Sequence, residues 1–263
     1  YETVATFGTM CLNPSIESVA KANEICNKYG MDTISCGATI SWAYEAYSEG
    51  KLTKEDTGGL DLTWGNAETM ILLTEMIGKR EGFGDILAEG SQRAAARIGR
   101  GTEDYLITSK GQEAPAHMPQ VKRSLALIYA VNPFGADHQS SEHDPAIEDG
   151  YEDYQDRLKA IGLEKELEPQ TLTPEKVNFA RTTQYLYSTM DSLNLCQFVY
   201  GPAWQLYGPD QMVEMVKAVT GWDVTLDELM TLGERRLNML RAFNAREGLG
   251  RDEDKLPEKF FKK

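Results

Sequence analysis

The sequence predicts an all-α protein built as two multihelical domains. Three observations support this. Apolar residues recur at helical spacing between recognisable caps. No stretch keeps the two-residue alternation of a strand. A Gly- and Pro-rich break from Lys110 to Gln120, with Gly111, Pro115 and Pro119, separates two helical regions.

The elements follow in order. Ser15 to Tyr29 places Ile16, Val19, Ala20, Ile25 and Cys26 largely on one face, and Gly30 supplies a C-terminal cap. A second helix is expected from Thr33 to Ser48, stopping at Gly50, and Asp56-Thr57-Gly58-Gly59 reads as a turn. Asn66 caps a helix carrying Met70, Ile71, Leu73 and Met76, and an Ala-rich helix is expected from Ile86 to Ile98, closed by Gly99. The first domain is assigned to residues 1–110 and the second to 111–263. In the second, Val131 to Asp144 reads as polar and irregular, and the charged run from Glu148 to Glu168 as a solvated excursion. Thr173-Pro174 combines an N-cap with Pro in the first turn and opens a helix through Phe179, Tyr185, Leu186 and Met190. Thr225 to Glu228 is a capping box that opens a long helix through Leu229, Leu232, Leu237 and Leu240, fading at Gly248.

Composition narrows the function classes. The chain has 263 residues, 41% hydrophobic and 26% charged, which suits a packed core and excludes a disordered chain. No apolar run approaches the length of a membrane span. A net charge of −14 disfavours nucleic acid and anionic lipid as partners. Cys11, Cys26, Cys36 and Cys196 form no CxxC pair and suggest neither a zinc site nor a disulfide framework. Reduced thiols in a cytoplasmic protein are the expectation.

Two helix ends share a six-residue pattern: Asn27-Lys28-Tyr29-Gly30-Met31-Asp32 and Asp191-Ser192-Leu193-Asn194-Leu195-Cys196. Each begins with a short polar acceptor. Gly30 or Asn194 stands where the backbone needs positive φ. Met31 or Leu195 follows, and a potential acceptor or ligand ends the pattern. Alone, either is an ordinary helix cap.

Set among their neighbours, these segments resemble the tungsten-containing aldehyde oxidoreductase family. The resemblance runs through Tyr1-Glu2-Thr3, Cys11, Ala22 to Asn27, Asp32 to Ser35, Leu52 to Leu60, Trp64-Gly65-Asn66, Arg80 to Gly90, Lys110 to Glu113, Gly135 to His138 and Asp191 to Cys196, in order over nearly the whole chain. It implies the family's C-terminal helical domains 2 and 3, and two loops gripping the pterins of a tungsten (or molybdenum) bis-pterin. Asn27, Gly30, Met31 and Asp32 belong to one loop, and Asp191 with the backbone around Leu195 to the other. A pterin edge offers amino and ring N–H donors, which carboxylates and amides satisfy.

The resemblance further implies that Cys196 is one ligand of a 4Fe–4S cluster. The family's other three cysteines come from a CxxCxxxC run that is absent here, as is the N-terminal domain. Both cofactors are therefore expected only in a longer protein, and a start without Met at Tyr1 fits an excised fragment. Glu2 and His138 match positions beside the metal, as a proton acceptor and as a hydrogen-bonding partner of the substrate oxygen. His117 is a candidate for the substrate channel; His143 is read as structural or solvent-facing, and Cys36 as packing.

The chain departs from the family pattern at Asn27 (commonly Asp), Met31 (commonly Leu) and Asn194 (commonly Gly). The first helix lacks the ExxH pair that holds a bridging metal in some members, so no such metal is expected, although a homodimer remains possible. The implied reaction oxidises an aldehyde to a carboxylic acid and passes electrons to a ferredoxin-like protein. Reduction of an aromatic acyl thioester on the same cofactor, and a non-catalytic helical scaffold, stand as alternatives.

Overall fold

A computed structural model describes residues 1–147, 152–164, 167–201 and 206–261. The chain divides into two compact units. The first comprises Tyr1–Ala116, Phe134–Ala136 and Leu256–Lys263; the second comprises His117–Pro133 and Asp137–Lys255.

The first unit holds α1 (Glu2–Phe7), α2 (Ile16–Tyr29), α3 (Thr33–Ser48), α4 (Ala67–Lys79), α5 (Phe83–Leu87) and α6 (Ser91–Ile98). Helix α3 is its centre. Cys36, Gly37, Thr39, Ile40, Trp42, Ala43, Tyr44 and Ala46 are all buried, so the helix is apolar on nearly every side and is wrapped by the others. Asn66 caps α4 through its side chain, as the sequence predicts, and Ser15 does the same for α2. The expected helix from Ile86 to Ile98 is instead two short ones. Gly90, at φ +83, breaks the run, and α6 restarts at Ser91 under a cap from elsewhere: the buried Glu113 carboxylate accepts from Ser91 N at 2.7 Å and from Ser91 Oγ at 2.7 Å. Glu113 lies in a two-residue antiparallel pair, Thr108–Ser109 with Gln112–Glu113, the sole strand pairing among the described residues.

The second unit holds α7 (Arg123–Val131), α8 (Glu152–Lys159), α9 (Pro174–Ser192), α10 (Gln197–Tyr200), α11 (Pro209–Thr220) and α12 (Leu226–Arg246). Its main packing is α9 against α12. A Cβ on Gly233 would lie 1.9 Å from the Tyr185 carbonyl oxygen, so only glycine lets these helices approach so closely. Thr189 Oγ1 then donates across the contact to Leu229 O at 2.5 Å. Thr173 caps α9, and Thr225 with Glu228 forms the expected capping box on α12. Within the charged run expected to be a solvated excursion, residues 152–159 form a helix. Its Leu158 is buried against Phe179, which gives those residues an apolar anchor. Residues 148–151 and 165–166 of that run lie outside the described residues. No described helix is long and apolar enough to cross a membrane.

Candidate functional site

In the first unit, α2 closes by a bond from Met31 N to Cys26 O at 2.9 Å, with Gly30 at φ +69. Nothing lies within 4 Å of the Cβ position of Gly30, so its requirement is conformational alone. Asp32 then begins α3: its Oδ2 accepts from Ser35 N at 2.7 Å. A carboxylate has acceptor capacity beyond one cap, so Oδ1 can still accept from a ligand N–H. Asn27 and Asp32 are exposed, and Met31 packs on the core beneath.

Glu2 sits in the first turn of α1, where Oε2 accepts from Ala116 N at 3.0 Å. Thr3 Oγ1 donates to Thr33 Oγ1 at 2.9 Å, and Thr6 Oγ1 lies 3.1 Å from Thr33 O. These bonds join the helix carrying Glu2 to the residue that follows Asp32. Under the loop, a hydrogen bond with Cys36 holds the Cys26 thiol below its usual range. The same bond, with burial, pushes Cys36 up.

In the second unit, α9 closes in the same manner: Leu195 N donates to Met190 O at 2.9 Å, and Asn194 takes φ +56. The Asp191 carboxylate is about half exposed and pairs with Arg236 at 3.0 Å. Burial raises its pKa against the opposing pull of Arg236, with Asp137 adding to the rise. Leu195 packs against the α9–α11–α12 core. Cys196 is the exposed cysteine; Cys11, Cys26 and Cys36 are buried.

The polar segment before α8 in the same unit gathers all three histidines. His117 stacks on His138 with ring centroids 4.7 Å apart and meets His143 edge-on at 4.6 Å. His138 is buried, with Nε2 3.0 Å from Gln139 Nε2, so an amide N–H points at the ring nitrogen. Asp137 turns the backbone ahead of it, accepting from Gln139 N at 3.0 Å and from Ser140 Oγ at 2.5 Å. Buried charges pin the rest of the segment. Tyr187 Oη donates to Glu142 Oε2 at 2.8 Å, and Glu142 Oε1 accepts from His143 N at 2.9 Å. Asp144 accepts from Lys176 Nζ at 2.7 Å and from Ser124 N at 3.0 Å.

His143 is thus neither solvent-facing nor isolated. Burial is the largest cause of its low pKa, and the Lys122, His117 and His138 charges push the same way. It falls to about 3 against the opposing bond to the His138 carbonyl. Lys122, Arg236, Glu142, Asp144 and Lys176 went unnoticed in the sequence. Each is a single charged residue outside any motif, and only the fold brings its partner to it.

These donor sets fit the implied cofactors unequally. Exposed acceptors beside a closed helix end suit a pterin edge in both loops. For a four-iron cluster, which ordinarily needs four cysteines, the chain offers one exposed thiol.

A family described as "Aldehyde ferredoxin oxidoreductase, domains 2 & 3" matches residues 1–263. The chain is 34% identical to a tungsten-containing aldehyde ferredoxin oxidoreductase of Pyrococcus horikoshii, over 99% of this chain and 40% of that protein. It is 28% identical to the WOR-like subunit of an aliphatic sulfonate oxidoreductase of Pyrococcus furiosus, over 92% and 34%. The chain thus spans about two-fifths of the length of its aldehyde oxidoreductase relative. Its fold is also found in the BamBC active-site complex of benzoyl coenzyme A reductase solved with 1,5-dienoyl-CoA, at a TM-score of 0.77 and 22% identity, covering 98% of this chain and 42% of that one. Matched from end to end, the chain belongs to the aldehyde ferredoxin oxidoreductase family and carries its domains 2 and 3.

Proposed function

We propose that this chain is the helical part of a tungsten-pterin oxidoreductase that converts an aldehyde and water to a carboxylic acid, releasing two electrons to a ferredoxin-like acceptor. The observation that carries the reading is the pair of matching helix-end loops, each closed at a positive-φ residue and each presenting exposed polar groups. Asn27 and Asp32 would accept from one pterin edge, and Asp191 with the backbone near Leu195 from the other. Cys196 would ligate the cluster, with the remaining ligands and the rest of the cofactor site supplied by an N-terminal portion outside these 263 residues. Bound there, the tungsten bis-pterin would supply two-electron redox chemistry and the 4Fe–4S cluster a one-electron exit.

The chain's own residues would manage protons and charge. His138, held in a buried histidine cluster, would aim its ring at the substrate oxygen, where a positioned group counts most when water is excluded. Glu2 would accept the proton released as water adds. Anaerobic purification of the complete protein, followed by tungsten, molybdenum and iron analysis, tests the reading. Stoichiometric metal and iron with aldehyde-dependent reduction of ferredoxin is expected; a protein free of both would be a scaffold. His138→Ala should keep metal and iron yet lose roughly 10²–10⁴-fold in turnover. Loss of metal together with activity would make His138 structural.

The fold shared with benzoyl coenzyme A reductase supports one other reading, reduction of an aromatic acyl thioester on the same cofactor. Turnover of such a thioester in place of aldehydes would select it.

A further inference from the structure

The turn before α7 places Lys122 between two imidazoles. Its Nζ lies 3.0 Å from Nδ1 of His117 and 3.3 Å from Nδ1 of His143. An ammonium carries three hydrogens and no lone pair, so it only donates. Both Nδ1 atoms must therefore present lone pairs, which leaves the hydrogen of each neutral ring on Nε2. His143 reaches the same answer independently: its Nε2 lies 2.7 Å from the carbonyl oxygen of His138, and a carbonyl only accepts. Two bonds at opposite ends of the ring thus agree on one tautomer. The low pKa of His143 fits, since it keeps that ring neutral at neutral pH.

The consequence converges on His138. One ring that Lys122 holds, His117, stacks on the His138 imidazole at 4.7 Å with 25° between planes. The other, His143, grips the His138 backbone. We propose that Lys122 is a positioning residue for His138, fixing at once the ring that stacks on it and the ring that bonds its carbonyl. This rests on the proton-handling role proposed for His138. It assigns the cluster a division of labour: one histidine faces the chemistry, two are locked neutral behind it, and one ammonium sets both. A metal ligand's orientation is commonly fixed by a hydrogen bond at its far nitrogen. Here one cation serves two rings, and the oriented group is a third.

The test is made on the complete protein labelled with ¹⁵N-histidine, with His117→Gln and His143→Gln difference spectra to assign the signals. Both rings should show hydrogen on Nε2 and a bare Nδ1 at neutral pH. A hydrogen on Nδ1 of either ring overturns the proposal, and this measurement needs no Lys122 variant to fold. In Lys122→Met the His117 ring should lose its single tautomer, whereas His143 keeps its own through the bond to the His138 carbonyl. In the metal-loaded enzyme turnover should fall roughly 10–100-fold, the range for partners that orient a site group, with KM, metal and iron unchanged. An unaltered His117 tautomer or unaltered turnover in a folded Lys122→Met protein also overturns it. The two readings fail separately. Full activity in His138→Ala removes the role of His138 while the wild-type spectrum still reports the Lys122 bonds; a wrong tautomer removes Lys122 and leaves His138 standing.

Discussion

Asp32 and Cys196 occupy the same backbone position in two loops far apart in sequence. Each is the sixth residue of its loop, one after the N–H that closes the preceding helix. Each starts the next helix with nearly equal torsions, φ −67 and ψ 128 at Asp32, φ −74 and ψ 121 at Cys196. One backbone device thus presents a carboxylate in one unit and a thiol in the other. Only Asp32 also caps its helix through its side chain, so its cap and its proposed pterin contact can be tested apart.

Asp32→Ala should cost about 1 kcal/mol through the lost cap, whereas Asp32→Asn keeps an acceptor for Ser35 N and should cost little. Both should lower pterin content in the complete protein, since neither offers a second carboxylate oxygen. Denaturant midpoints and released pterin, measured on the same preparations, check the pair. Normal pterin in Asp32→Asn would confine the residue to capping.

Gly30→Ala should destabilise by about 1–2 kcal/mol, the cost of a β-carbon at positive φ, because no neighbouring atom adds to it. Asn194→Gly should be close to neutral, as asparagine already tolerates that region. Thermal unfolding of the two variants checks the contrast.

Lys176 and Asp144 form a wholly buried ion pair. Lys176→Met should cost about 3–5 kcal/mol, because Asp144 keeps its burial and loses its counter-charge. Asp144 also takes the backbone N–H of Ser124, so the loss should loosen the segment leading back to His138. Equilibrium unfolding with amide exchange at Ser124 tests both effects.

His143 predicts the pH response of stability. Its folded pKa of about 3 lies below the ordinary 6.5, so the unfolded chain binds the proton first. Stability is full above pH 6.5 and falls as pH drops toward 3, by roughly 1.4 kcal/mol per unit from this residue alone. The groups facing it in its own unit are Lys122, His117, His138 and, through its backbone N–H, Glu142. His143→Gln should flatten the unfolding midpoint across that window; an unchanged slope would show that other groups carry it.

Much of the helical fold was legible because its signals are local. Ser15, Asn66, Thr173 and Thr225 each cap from within three residues, and both loop patterns announce their positive-φ positions. The break at Gly90 was missed because the cap that restarts α6 comes from Glu113, twenty-two residues away. The helix at 152–159 was missed because one buried leucine outweighs a charged surface. In the candidate site, the residue types that resemblance supplied were visible, but the charges that hold them were not. Lys122 is separated from His143 by 21 positions and Asp144 from Lys176 by 32, and no spacing rule joins them.

The last residues of the chain return to the first unit, where Lys259 pairs with Glu45 on α3. Synthesis therefore reaches that unit's final contact 214 residues after its partner has emerged. A ribosome building the chain holds α3 without this tether until those 214 residues have followed. Excising residues 1–116 as a free-standing piece would leave that unit permanently at the stage before its closing contact. A variant that carries residues 256–263 just ahead of Tyr1 would supply the tether before α3 emerges and turn a late event into an early one.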